Sequence, residues 1–119
     1  MNSTELGTLG EALAERYLLK KGYMILDKNI RFKKWEIDLV ALDGEKLVIV
    51  EVKTRQTAEI GEPWRAVTRN KQRQIIKVAD YYIQSGNIDR ETRFDIISIV
   101  HNSYRTDIEH ILNAFYPLV

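Results

Sequence analysis

The sequence predicts an α/β domain in which helices flank a small mixed sheet, in the order helix, three strands, helix, strand. Three observations carry that expectation. Two segments, residues 3–21 and 64–85, repeat apolar side chains at the 3.6-residue period of a helix. Strand-like runs fill the space between them, and a further one, rich in isoleucine, follows the second helix. Asp43-Gly44, a strong short hairpin signal, joins the second run to the third. A chain of 119 residues makes one ordinary domain, 1–119, large enough to bury a hydrophobic core.

The first helix, about Ser3 to Lys21, has Ser3 or Thr4 as its cap and Gly22 as its stop. Leu6, Leu9, Leu13 and Tyr17 form one stripe along it. Strands follow at Tyr23 to about Arg31, Trp35 to Leu42 and Lys46 to Thr54. A loop containing Gly61 and Pro63 leads into the second helix, about Trp64 to Ser85, which stops at Gly86. Arg93 to Val100 is the next strand, while Thr106 to Leu112 reads equally as a last strand or a short helix.

Composition narrows the function. The chain is 45% hydrophobic and 29% charged, with 18 basic against 17 acidic residues and a net charge of +1. That balance excludes a disordered tail and a uniformly basic DNA-coating protein. With no cysteine and two histidines, a thiol nucleophile, a disulfide frame and a thiolate or histidine-rich zinc site are excluded too. No apolar run approaches a membrane span and no charged-then-apolar leader opens the chain, so the expectation is a soluble cytoplasmic protein. The even sum hides segregation: residues 16–35 hold seven basic groups against Asp27 alone, and residues 63–79 hold five against none. Residues 80–119 hold three basic groups and six acidic ones.

Side chains on a strand alternate faces. Glu36, Asp38 and Val40 therefore share one face of the second strand, opposite Ile37, Leu39 and Ala41. On the third, Leu47, Ile49, Glu51 and Lys53 oppose Val48, Val50 and Val52. The hairpin makes these strands neighbours and brings Asp38 towards Glu51 and Lys53. One reading is a solvated hairpin face. The other starts from the long apolar runs around these charges, which suit strands covered on both sides, where an unpaired charge is expensive. A divalent metal would account for two carboxylates there, because Mg²⁺ prefers carboxylate, carbonyl and water oxygens. Held by Asp38, Glu51 and the carbonyl of Val52, it would polarise a phosphate and activate water, with Lys53 placed to orient that water or steady the phosphoryl charge.

An aspartate at a strand end followed by Glu-x-Lys on the next strand, in this element order, resembles the PD-(D/E)xK nucleases of the restriction-endonuclease-like fold. More closely, the chain resembles the small bacterial YraN-type family, related to archaeal Holliday junction resolvases. The matching residues run almost end to end: Leu9-Gly10-Glu11, Ala14, Tyr17-Leu18, Gly22-Tyr23, Ile25-Leu26, Asn29, Arg31, Glu36 to Ala41, Val50 to Arg55, Gly61, Ala66-Val67, Lys71 and Arg93-Phe94-Asp95. The resemblance implies an αβββαβ nuclease core and a DNA endonuclease dependent on Mg²⁺ or Mn²⁺, with branched DNA as a candidate substrate. It implies catalytic roles for Glu11, Asp38, Glu51 and Lys53, the acids also holding metal together with Val52. A non-catalytic nucleic-acid-binding module on the same fold is the alternative. A resolvase needs two active sites, so that substrate would imply a homodimer. The chain departs from the family at Trp35, where a glycine is usual; the ring either alters substrate access or packs with Ile37 and Leu39.

The helices add to the site. Glu11 borders the apolar face of the first helix, as a solvated edge residue does, and the resemblance turns it towards the site. Val67, Lys71, Ile75, Val78 and Tyr82 fall within about 80° of arc, which puts Lys71 on the buried stripe facing an acidic partner or a phosphate. Arg69, Arg73 and Lys77 form a separate outward ridge suited to phosphate contacts, and the expected nucleic-acid-binding set is these with Arg31, Arg55 and Lys71. Trp64 is expected to cap its helix or stack on a base, Tyr81, Tyr82 and Phe94 to lie in the core, Asp95 to be a structural or supporting acid, and His101 and His110 to lie at the surface.

Overall fold

A capping box starts the first helix, α1 (Ser3–Lys20). The Asn2 side chain accepts from the Glu5 backbone N–H at 2.8 Å, and Asn2 N–H donates to the Glu5 carboxylate at 3.3 Å. The cap is therefore Asn2, not Ser3 or Thr4, because only Asn2 has a glutamate at the third helical position to return the bond. Gly22, at φ +90°, takes the left-handed conformation as the chain turns into the sheet. The computed structural model describes residues 1–57 and 67–117.

Strands β1 (Met24–Phe32), β2 (Trp35–Asp43) and β3 (Lys46–Arg55) form an antiparallel meander. Helix α2 (Arg69–Ser85) then crosses to β4 (Thr92–His101), which lies parallel to β3, and β5 (Thr106–Phe115) returns antiparallel to β4. The result is one mixed five-stranded sheet in sequential order. The expected α/β class and element order hold. The ambiguous last segment is a strand, registered on β4 from His101–Thr106 to Phe94–Phe115.

The second helix begins at Arg69, later than expected. Thr68 caps it, its hydroxyl accepting from Lys71 N–H at 3.1 Å. The apolar stripe includes Val67, but Val67 is a buried anchor just before the helix. The expectations for Gly61, Pro63, Trp64 and Ala66 lie outside the described residues.

Each face of the sheet carries one helix and one core. Under α1, Ala14, Leu18 and Tyr23 pack on Leu39, Ala41, Val48, Val50, Ile97 and Ile99. Under α2, Ile75, Val78 and Ala79 pack on Ile37, Val40, Leu47, Ile49 and Ile96. Covering on both faces explains the long apolar runs of β2 to β4. In β2 strict alternation fails at one point: Ile37 packs with Val40 on the α2 side rather than with Leu39. The break falls at Asp38, where the ladder to β3 ends. No helix among the described residues is long and apolar enough to cross a membrane.

Candidate functional site

The β2–β3 ladder runs from Asp43–Lys46 to Leu39–Val50 and stops. One step further would pair Asp38 with Glu51. Instead the Asp38 carboxylate accepts from the Val52 backbone N–H at 2.7 Å. A side chain has replaced the strand carbonyl as backbone partner, and this holds Asp38 at the end of the ladder. Glu51 lies beside it, only 4% exposed and close enough for the Asp38 carboxyl to act on its ionisation. Lys53, half-buried, is two residues along the same strand.

From α2, the Lys71 ammonium comes to 3.6 Å from the Glu51 carboxylate. The predicted buried lysine thus meets an acidic partner, one of its two expected alternatives. From α1, half-buried Glu11 stands where the charge of Asp38 affects it. Its helix lies close to β3 at Gly10, where an added Cβ would sit 1.7 Å from the Thr54 hydroxyl oxygen.

Burial and the negative neighbour Asp38 push the Glu51 carboxyl up to about 8, opposed by Lys71 and Lys53. Burial, then Asp38 and Glu36, push Glu11 up to about 7. Around neutrality the site therefore retains protons on groups that are ordinarily ionised. The donors that converge are Asp38 and Glu51; among the described residues no cluster of three carboxylate or imidazole side chains forms a ready metal cage. The all-oxygen donor set nevertheless fits a hard divalent cation that completes its shell with water.

The expected nucleic-acid contacts divide by environment. Arg31 is exposed and ion-paired to Glu36 at 3.1 Å. Arg55 is half-buried at the end of β3. Arg69, Arg73 and Lys77 form the expected exposed ridge on α2. Lys77 lies 5.0 Å from the Trp35 ring centroid, a cation–π arrangement. Trp35 is half-buried against the α2-side core with Ile37, though not with Leu39, which faces α1.

Two expectations fail at the other end of the sheet. His110 is no surface residue: its side chain is 2% exposed, with Nε2 2.7 Å from Asp95. The rings of Tyr17 and Tyr23 meet it edge-on, and strand pairing to β4 brings it inside. Tyr81 is 44% exposed and stacks on Phe32 at 4.6 Å, so it covers the core rather than filling it. Tyr82 is half-buried and Phe94 buried. His101 is half-buried, with Nδ1 2.7 Å from the Thr106 hydroxyl.

Asp95 has the structural role foreseen as one of its alternatives. Arg93 donates to both its oxygens at 2.9 Å, and Asn113 N–H donates to it at 2.9 Å. Burial raises the Asp95 carboxyl, but the bonds from His110, Arg93 and Asn113 together with the Arg93 charge outweigh burial and hold it below the usual range. Arg93 also reaches Asp43 at 2.9 Å and the Tyr23 hydroxyl at 2.7 Å. The extent of this network was missed; the available signal was Arg93 and Asp95, two apart, inside an isoleucine strand.

The family model described as "Uncharacterised protein family UPF0102" matches residues 10–99, a span containing Glu11, Asp38, Glu51, Lys53 and Lys71. A UPF0102 protein of Christiangramia forsetii is 46% identical over 112 residues, covering 94% of each chain. One from Geobacter sulfurreducens is 49% identical over 112 residues, covering 92% of this chain and 88% of its own. One from Caldanaerobacter subterraneus subsp. tengcongensis is 46% identical over 119 residues, with 97% and 98% covered. With likeness at this level along nearly the whole chain, the protein belongs to the uncharacterised family UPF0102.

Proposed function

We propose that the protein is a metal-dependent DNA endonuclease whose substrate is branched DNA, such as a Holliday junction. The observation that carries this reading is the Asp38–Glu51 carboxyl pair at the end of the β2–β3 ladder, with Lys53 two residues along from Glu51. Asp38, Glu51 and the Val52 carbonyl would hold Mg²⁺ or Mn²⁺, with Glu11 adding negative charge from α1. When bound, the cation would polarise a phosphate oxygen and supply hydroxide from water near neutral pH. The chain's own part is to give up the proton held by Glu51, to fix Asp38 through Val52 N–H, and to present the Lys53 ammonium to water or the phosphoryl oxygen. Lys71, already beside Glu51, compensates charge and is placed near an incoming phosphate.

The second reading is a non-catalytic nucleic-acid-binding module. It is favoured by Lys71 already compensating Glu51 and by the absence of a three-acid cluster among the described residues. Linear duplex, single-stranded, flap and four-way-junction DNA incubated with Mg²⁺ or Mn²⁺ separate the two. The endonuclease reading expects metal-dependent cleavage that falls by about 100-fold or more in Asp38→Asn and Lys53→Ala. Salt-dependent binding without cleavage supports the second reading, and cleavage surviving both substitutions removes the proposed mechanism.

A further inference from the structure

A groove of about 400 Å³ lies between α2 and the C-terminal end of β5, within the size range of small-ligand sites. Arg69, Arg73 and Lys77 line it together with Ile76, Phe115 and Tyr116. Among the described residues neither Arg69 nor Arg73 has an ion-pair partner, and Lys77 is engaged with the Trp35 ring. Tyr116 is 62% exposed, whereas its chain neighbour Phe115 is buried.

Cations beside a flat apolar ring match a ligand that carries phosphate and a flat apolar face together. Phosphates alone, as a duplex presents them, need no ring, because the base faces of a duplex are stacked inside. An unpaired nucleotide offers both, and stacking on an aromatic side chain is a main source of single-strand affinity. We propose that this groove binds an unpaired single-stranded segment of nucleic acid, with a base on Tyr116 and its phosphates on Arg69, Arg73 and Lys77. The inference deepens the nuclease reading and rests on it. Lys71, from the sheet-facing side of the same helix, touches Glu51, so the groove and the carboxyl pair lie on opposite sides of α2. The groove then selects DNA with an unpaired arm or end.

The test is equilibrium binding in EDTA, without metal or turnover. Fluorescent single-stranded and blunt duplex oligonucleotides of one sequence are titrated with wild type, Tyr116→Ala, Tyr116→Phe and Arg73→Glu. Tyr116→Ala is expected to weaken single-strand binding by roughly five-fold or more and to leave duplex binding within about two-fold, with Tyr116→Phe retaining affinity. Arg73→Glu is expected to weaken single-strand binding and make its salt dependence shallower. Unchanged single-strand affinity in Tyr116→Ala, or equal losses on both DNAs, overturns the proposal and leaves the nuclease reading standing. Binding of neither DNA by wild type likewise overturns the proposal, while the nuclease reading stands or falls on metal-dependent cleavage of branched DNA.

Discussion

A carboxyl buried beside another carboxylate normally meets a cation or keeps a proton, and Glu51 does some of each. Lys71 sits at 3.6 Å, yet burial and Asp38 still push Glu51 up to about 8. Removing the ammonium while keeping the apolar stem, as Lys71→Met does, takes away a downward influence. The Glu51 carboxyl is then expected to titrate above its wild-type value, read from its carboxyl carbon shift by NMR against pH; a fall or no change would mean Lys71 does not act on Glu51. Asp38, Glu51 and Lys53 stood out in the sequence because charges interrupt apolar runs. What was not legible is how Asp38 is held, since that depends on where the β2–β3 ladder ends. Residue types and strand alternation do not report that point. His110 was misjudged for a related reason: its environment belongs to β4 and α1, which are remote in sequence.

At the scale of elements, the placement of α1 depends on a missing side chain. An added Cβ at Gly10 would come within 1.7, 2.8 and 2.9 Å of the Oγ1, Cβ and Cγ2 atoms of Thr54, so rotating Thr54 does not clear the space. Alanine improves helix propensity by about 1 kcal/mol, but forcing α1 off β3 is expected to cost more. Gly10→Ala should therefore destabilise by roughly 1–3 kcal/mol in urea unfolding, with partial rescue by Thr54→Ala. The same shift would carry Glu11 away from Asp38. Across the sheet, the Asp95 network ties β4 to β5 and, through Arg93, to the β2–β3 turn. Asp95→Asn leaves Arg93 without its buried counter-charge and is expected to cost about 3–5 kcal/mol by the same measurement. Helix and strand identities came mainly from periodicity. Segment 106–112 resisted because Ile108, Ile111 and Leu112 also fit a helical stripe, and the decision comes from pairing with β4.

For the molecule as a whole, a net charge of +1 says little, because the charges are segregated along the chain and two of the acids retain protons near neutrality. The folded-state pKa values of Glu11 and Glu51, about 7 and about 8, exceed their ordinary value of 4.5. Between those values the folded protein holds more protons than the unfolded chain, so stability falls as pH rises through that window. Asp95 works in the opposite sense. Its depressed value contributes stability above the ordinary aspartate range, and this is lost as pH falls through the folded value. Stability is expected to be greatest on the acid side of neutrality, near pH 5, and to decline towards pH 8. Glu51→Gln removes the Glu51 share of that decline, so its stability should change less with pH than that of wild type. A divalent cation that binds ionised Asp38 and Glu51 should oppose the decline, adding about 2.7 kcal/mol at a hundred times its Kd. Urea unfolding at pH 5, 6.5 and 8, with and without Mg²⁺, measures both effects. The expected pattern is Mg²⁺ stabilisation of wild type that grows with pH and is largely lost in Glu51→Gln. Equal Mg²⁺ stabilisation in the variant would place the cation elsewhere, and a wild-type profile flat from pH 5 to 8 would contradict the protonated carboxyl pair.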